Sequence, residues 1–372
     1  MMAAASGNGS GPQPANSLDD IRILKDADPG GMLNLLAQIP SQLREAWQLS
    51  RALELPDTHR QTTSAVLLGM GGSAIGGDLV AGIWSDRLRV PLSVVRGYDL
   101  PAWVGPSTLV VASSNSGNTE ETLSALGAAL KRKSPVVAVT TGGALKTAAG
   151  RASLPLLAFP SIGMPRAAIG YSVGLLAGLL ERAGHLPVDD AEIEAGAAVA
   201  AAAVAEYGPA VLTEANRAKQ IAWTLLDRLP IIESSGFLTP VARRWKTQLN
   251  ENSKSSAIWE ELPEATHNSV VGYPQPSAVR DHLFAIFLAS TLDHPRNRLR
   301  AALSMAALDD EKIANDRVVF EDTGRLAQAM RAIVLGDYVS VYLAVLYGLD
   351  PTPIEVLSRI KEALAAASVS ES

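Results

Sequence analysis

Two stretches of this 372-residue chain have the residue types to hold an anion without a metal or bulk positive charge. In Gly69-Met70-Gly71-Gly72-Ser73-Ala74-Ile75-Gly76-Gly77, five glycines in nine residues let the backbone approach a ligand closely and adopt positive φ. In Ser113-Ser114-Asn115-Ser116-Gly117-Asn118-Thr119-Glu120-Glu121, three hydroxyl residues, Ser114, Ser116 and Thr119, surround one glycine. Each stretch follows a short apolar run and opens a helical pattern. A helix begun there aims unpaired N–H groups and a partial positive charge at its ligand. Gly71, Gly72 and Ser73 are the candidate binding residues of the first loop, and Ser114, Ser116 and Thr119 those of the second. Other readings compete. Gly69-x-Gly71-x-x-Ala74 fits a dinucleotide fingerprint, but the next strand ends at Arg96, where an NAD site calls for an acid. No Lys-Ser/Thr follows to complete a P-loop. A tight turn explains the first loop alone and a capping box the second alone, yet two such loops at the ends of parallel strands can converge on one phosphate.

A second set of residues has the types for proton transfer. In the helical segment Arg243 to Lys254, Arg244, Gln248 and Glu251 fall at i, i+4 and i+7 and share a face. Leu238, Val241, Trp245 and Leu249 lie on or near another. By pattern alone such a polar stripe reads as a solvated face. Further on, Glu260 to Asn268 carries His267, one of five histidines, at the entry to an expected strand. By pattern alone a lone histidine is more often structural.

The elements that must position these residues alternate. Short apolar runs at residues 64–68, 92–95, 107–113, 135–140 and 154–159 read as strands separated by helices, which predicts βαβ units and a parallel sheet. Helices are expected over most of residues 18–55, over 170–184 and over the Ala-rich 191–207. A second series follows: strands at 230–233, 268–272, 284–290 and 317–321, and helices at 238–255, 326–349 and 354–366. Glu233-Ser234-Ser235-Gly236 follows the first of these strands as a short stretch without a partner loop, so one anion site per chain is expected. The domains predicted are a disordered tail at 1–17, an α/β unit at 18–190 bearing the loops, and a second at 191–372 bearing Glu251 and His267. A chain of this length supports two cores.

Hydrophobic residues make up 47% and charged residues 19%, with a net charge of -6. That balance argues against a nucleic-acid protein, which needs a basic face. There are no cysteines, which rules out disulfides and thiolate chemistry. No two of His59, His185, His267, His282 and His294 stand at His-x3-His spacing, so no metal is expected. The first residues lack the basic and apolar regions of a signal peptide, and no uninterrupted apolar run reaches membrane length. A cytoplasmic protein with no membrane partner is expected.

The pattern Ser114-Asn115-Ser116-Gly117-Asn118-Thr119 resembles the phosphosugar loop of the sugar isomerase (SIS) domain family. That resemblance implies an α/β fold of two SIS-type domains, each a parallel β-sheet flanked by helices. Further motifs resemble the bifunctional phosphoglucose/phosphomannose isomerases. They are Pro165-Arg166 with Gly170, Gln248-Leu249-Asn250-Glu251-Asn252, Glu261-Leu262-Pro263-Glu264, His267-Asn268, and Asp350-Pro351-Thr352-Pro353 followed by Ile360-Lys361. Ser269 stands where that family often carries an acid, and Tyr273 where Trp is common.

This resemblance implies hexose 6-phosphate substrates and an aldose-ketose isomerisation between glucose or mannose 6-phosphate and fructose 6-phosphate, with no cofactor. It gives Glu251 the C2 proton and His267 the ring opening, places Arg166 near the enediol oxygens and lets Lys361 reach the sugar. The chemistry asks for such groups: a carboxylate for a weakly acidic C–H, cations for the enediolate, and an acid/base that titrates near neutrality. The resemblance also implies a homodimer with active sites shared between subunits, so that His267 serves the neighbouring chain. A non-catalytic phosphosugar sensor is the alternative, and it would not need the Glu251/His267 pair. An NADP oxidoreductase built on the Gly69 loop is a third reading.

Overall fold

The computed structural model describes residues 18–367. The tail expected at 1–17 lies outside the described residues. Two parallel sheets form the framework. The first contains β1 (Ser64–Leu68), β2 (Leu92–Val95), β3 (Thr108–Ser114), β4 (Val136–Thr140) and β5 (Leu156–Ala158), in the order β2-β1-β3-β4-β5. The second contains β6 (Leu229–Ser235), β7 (Ile258–Leu262), β8 (Leu283–Ser290) and β9 (Ala314–Phe320), in the order β7-β6-β8-β9. The central strands β1, β3 and β4 are buried almost throughout, as near-continuous apolar runs covered by helices on both faces should be. Leu68 pairs with Ala112, so β1 and β3 deliver their loops side by side.

One core runs through both halves, which meet where helix Ile39–Arg51 touches helix Asp190–Tyr207 and helix Gly71–Ile83 touches helix Thr239–Asn252. Helix Ile169–Arg182 lies on helix Ile39–Arg51 through Gly170, Gly174 and Gly178. A Cβ on any of these would strike the facing helix, so the stripe sets how closely the axes approach. Helix Arg325–Leu346 packs against the Ala-rich helix Asp190–Tyr207 and against helix Thr239–Asn252. It is long and apolar enough to cross a membrane, with mean hydropathy 1.6, but 94% of that window is buried within the chain. Its Asp337 is wholly buried and accepts hydrogen bonds from Arg244 at 3.1 and 2.6 Å. This is a core helix.

The second half corrects three expectations. Residues 268–272 are not a strand: Glu264–His267 is a 3-10 turn and Ser269–Gly272 a short helix, started by the Asn268 side chain accepting from Ser269 N. The strand beside β6 is instead β7, an Ile-Trp-Glu-Glu-Leu edge strand the sequence left unassigned. Its glutamates belong on an edge, where one side of the strand meets solvent. His267 therefore closes a turn rather than opening a strand. The Arg244 stripe is not solvated, because Arg244 and Gln248 are both 1% exposed. Finally, Glu233 to Ser235 is no loop: it completes β6 and is buried.

Candidate active site

The two glycine- and hydroxyl-rich loops open helices Gly71–Ile83 and Glu120–Lys131 at the carboxyl ends of β1 and β3. Neither helix has a side-chain cap, so N–H groups of both first turns are left for a ligand. Thr119 occupies the N-cap position of the second, but its Oγ1 lies 2.7 Å from Ser114 Oγ instead of capping its own helix. Ser114 is 2% exposed and also accepts from Gly117 N at 3.0 Å. Its hydroxyl thus helps shape the loop, whereas Ser116 is exposed and Thr119 half-buried. Gly117 sits at φ +71, and a Cβ there would collide with the carbonyl of Gly142. The loop after β4 packs against it: Thr141 N and Oγ1 both donate to Asn115 O, and Ala144 N donates to Asn118 Oδ1. The expected convergence is present. Ser73, Asn115 and Pro165 line one water-sized space of 10 Å³.

Pro165 leads to the chemistry. A Cβ on Gly72 would lie 3.1 Å from Pro165 O, so the turn Pro165–Ala167 rests directly on the first loop. Arg166, 4% exposed, projects from that turn into the second half. Its Nε donates to Asn252 Oδ1 at 2.6 Å, and its Nη2 donates to the carbonyls of Pro351 and Thr352 at 2.7 and 2.6 Å. Arg244 donates in turn to Arg166 O at 2.9 Å. Arg166 Nη1 lies 3.8 Å from Glu251 Oε2. Burial lowers the pKa of Arg166, and the Glu251 carboxylate opposes that shift. Glu251 keeps 28% of its side chain open, enough to meet a ligand. The structure therefore brings the two loops, Arg166 and Glu251 into one neighbourhood.

Known proteins resemble this chain over most of its length. A bifunctional phosphoglucose/phosphomannose isomerase from Caldicellulosiruptor bescii is 38% identical over 90% of this chain and 99% of its own. The chain belongs to that isomerase family. A second member, from Aquifex aeolicus, is 33% identical over 80% of this chain and 89% of its own. The family model for the bacterial phospho-glucose isomerase C-terminal SIS domain matches residues 214–364. A hypothetical protein from Thermus thermophilus shares the fold, with a TM-score of 0.73 and 17% identity over 93% of each chain. The second sheet of this bifunctional-isomerase family member lies within the SIS-domain match, and the first is likewise a parallel sheet flanked by helices.

Within a single chain of this isomerase family member, two of the expected residues stand apart. His267 is exposed at the end of its turn, and Lys361 is exposed on helix Glu355–Ala366. Among the described residues, no hydrogen bond or ion pair ties either to Glu251, Arg166 or the loops. Both occupy segments with bare apolar side chains: Val271 is 80% exposed beside His267, and Val356, Ile360 and Leu364 flank Lys361.

Lys254 escaped the sequence reading. It follows helix Thr239–Asn252 at φ +54, a left-handed position that glycine usually fills at a helix end. Its Nζ donates to Asn252 O at 3.0 Å and Asp350 O at 2.6 Å. Burial, helped by Arg166, brings its pKa down to about 8. A lysine three residues beyond a candidate base was the available signal.

Proposed function

We propose that the chain interconverts glucose 6-phosphate and mannose 6-phosphate with fructose 6-phosphate through a cis-enediolate, acting in the cytoplasm as a homodimer. The observation that carries this reading is the Arg166–Glu251 pair at 3.8 Å, resting through Pro165 on the first phosphate loop. In this reading residues 18–190 supply the phosphate cradle and residues 191–372 the base. The helix N-termini of Gly71–Ile83 and Glu120–Lys131, with Gly71, Gly72, Ser73, Ser116 and Thr119, take the phosphate. Ser114 holds the loop in shape. The sugar then extends toward Glu251. The Glu251 carboxylate removes the C2 proton, electrons move to the carbonyl oxygen, and Arg166 stabilises the resulting enediolate. The C2 hydroxyl proton passes to the C1 oxygen, and the protonated Glu251 returns its proton to C1 to give the ketose. Because the enediolate is planar at C2, the same base serves both aldose epimers.

The exposure of His267 and Lys361 supports a site completed by a second copy of the chain. His267 of one subunit then opens the sugar ring in the site of the other, and Lys361 reaches the sugar. A coupled assay on purified protein with each hexose 6-phosphate tests the proposal, together with exchange of the C2 proton into solvent. Turnover of both substrates with exchange is expected. Binding of hexose 6-phosphate without turnover would replace the isomerase with a phosphosugar sensor.

A further inference from the structure

Each sheet has one place where neighbouring strands send their chains to opposite sides. In the first sheet it lies between β1 and β3 and holds the phosphate loops. In the second it lies between β6 and β8. Crevices at the carboxyl ends of such strand pairs are where open parallel sheets bind ligands. A cavity of 210 Å³ opens there in the second sheet, between the strand ends and helix Pro295–Asp310.

The cradle at this second place is already filled by the chain. The loop after β8 carries Asp293, 8% exposed, whose Oδ2 accepts from Ser290 N at 2.8 Å. Ser235 at the end of β6 also bonds to that carboxylate. A backbone N–H and a serine hydroxyl thus hold an internal anion. A phosphate brought to the same donors would meet the Asp293 carboxylate.

The rest of the cavity is a different surface. Glu233 pairs in register with Phe287, and Phe287 with Arg317, so these side chains form a row on one face of the sheet. Phe287, Ala289, Val319 and Ala301 give the lining an apolar wall. Glu233, which also lines it, is 1% exposed; its Oε1 accepts from Tyr273 OH, and its Oε2 has no partner. A buried carboxyl oxygen without a partner is costly and asks for a hydrogen-bond donor. Arg298 and the exposed Arg317 in the same lining oppose a cationic ligand, as Asp293 and Glu233 oppose an anionic one.

We propose that this cavity is a second ligand site, for a small uncharged polyol such as an unphosphorylated sugar or sugar alcohol. An apolar wall against the C–H face, with a carboxyl oxygen for hydroxyl donors, is the surface such a molecule needs. Burial pushes the Glu233 pKa up to about 7, so near neutrality the group can both donate and accept. The site is separate from the Glu251 region and does not rest on the isomerase reading.

The test is calorimetric titration of the full chain with D-glucitol and D-glucose. Four proteins are compared: wild type, Ala301→Leu, Glu233→Met and Thr119→Ala. Wild type should bind at least one of the two sugars, and Thr119→Ala should bind it equally well. Ala301→Leu, which fills the cavity from the helix side, should weaken binding at least tenfold while isomerase turnover stays unchanged. Glu233→Met should weaken it similarly; if that variant does not fold, Ala301→Leu decides alone. Failure of wild type to bind either sugar overturns the proposal. So does unaltered binding in Ala301→Leu, or loss of binding in Thr119→Ala, which would place the sugar at the phosphate loops.

Discussion

The region around Arg166 and the region around His267 are built on opposite plans. Arg166 is buried, and its guanidinium bonds Asn252, Pro351 and Thr352 while its carbonyl takes a bond from Arg244. Asn252 is fixed further by Ser340, and Arg244 by Asp337. Glu251 rides on a helix that cannot shift without breaking these contacts. His267 and Lys361 sit on short or terminal elements, exposed beside apolar residues. One region is braced within the chain, and the other stands open to solvent. Groups that position reacting atoms repay such rigid support, whereas groups delivered by a neighbour need only be carried on a face that the neighbour covers.

The largest effects should come from separating the two regions. Glu251→Gln keeps the shape but removes the base, and kcat should fall at least ~10²-fold. His267→Ala should be comparably damaging on cyclic substrate. If the regions belong to different subunits, unfolding and refolding an equal mixture of the two inactive variants should restore about a quarter of wild-type activity, because half the dimers carry one intact site. No restoration would put Glu251 and His267 in the same chain's site and break the contrast.

A smaller effect is expected at the loops. Ser116→Ala and Thr119→Ala each remove a hydroxyl donor to an anion, a loss of roughly 1.5–3 kcal/mol. Binding of fructose 6-phosphate and of inorganic phosphate should weaken in parallel, measured by titration calorimetry. Weakening of the sugar phosphate alone would move the anion elsewhere.

These expectations were legible in the sequence to different degrees, and the differences have physical causes. The loops were readable because glycines and hydroxyls at fixed spacing act through the local backbone, and both loops do open helices beside each other. The burial of Arg244 and Gln248 was not, because the partner that draws Arg244 inward, Asp337, lies 93 residues further along the chain. β7 was missed because its Glu260 and Glu261 belong to an edge strand, where alternation and apolar content are weakest. Val270 and Val271 suggest a strand after His267, but the Asn268 side chain starts a helix instead. Residue type alone places Ser114 among the anion donors. Only the fold shows its hydroxyl occupied by Gly117 N and Thr119.

The smallest expected effect tests the second sheet alone. Glu233 holds its proton to about pH 7 when folded, whereas the unfolded chain releases it near the ordinary glutamate value. The folded state is therefore favoured below that ordinary value, and the advantage disappears as pH rises through about 7. Glu233→Gln cannot ionise. It should match wild type in denaturant unfolding at pH 4 and exceed it at pH 8 by roughly 3 kcal/mol. Equal stability at both values would mean that Glu233 is not held in a low-dielectric site.

Arg166 also bears on how a substrate enters. Its backbone belongs to the first half, and its guanidinium ends on the second half and on the segment leading to the last helix. A hinge between the two sheets would have to break several charge-assisted bonds in a buried place each time it opened. The molecule is thus not a pair of jaws. Traffic in and out of the site falls to parts that Arg166 does not clasp, such as the exposed rim at Ser116.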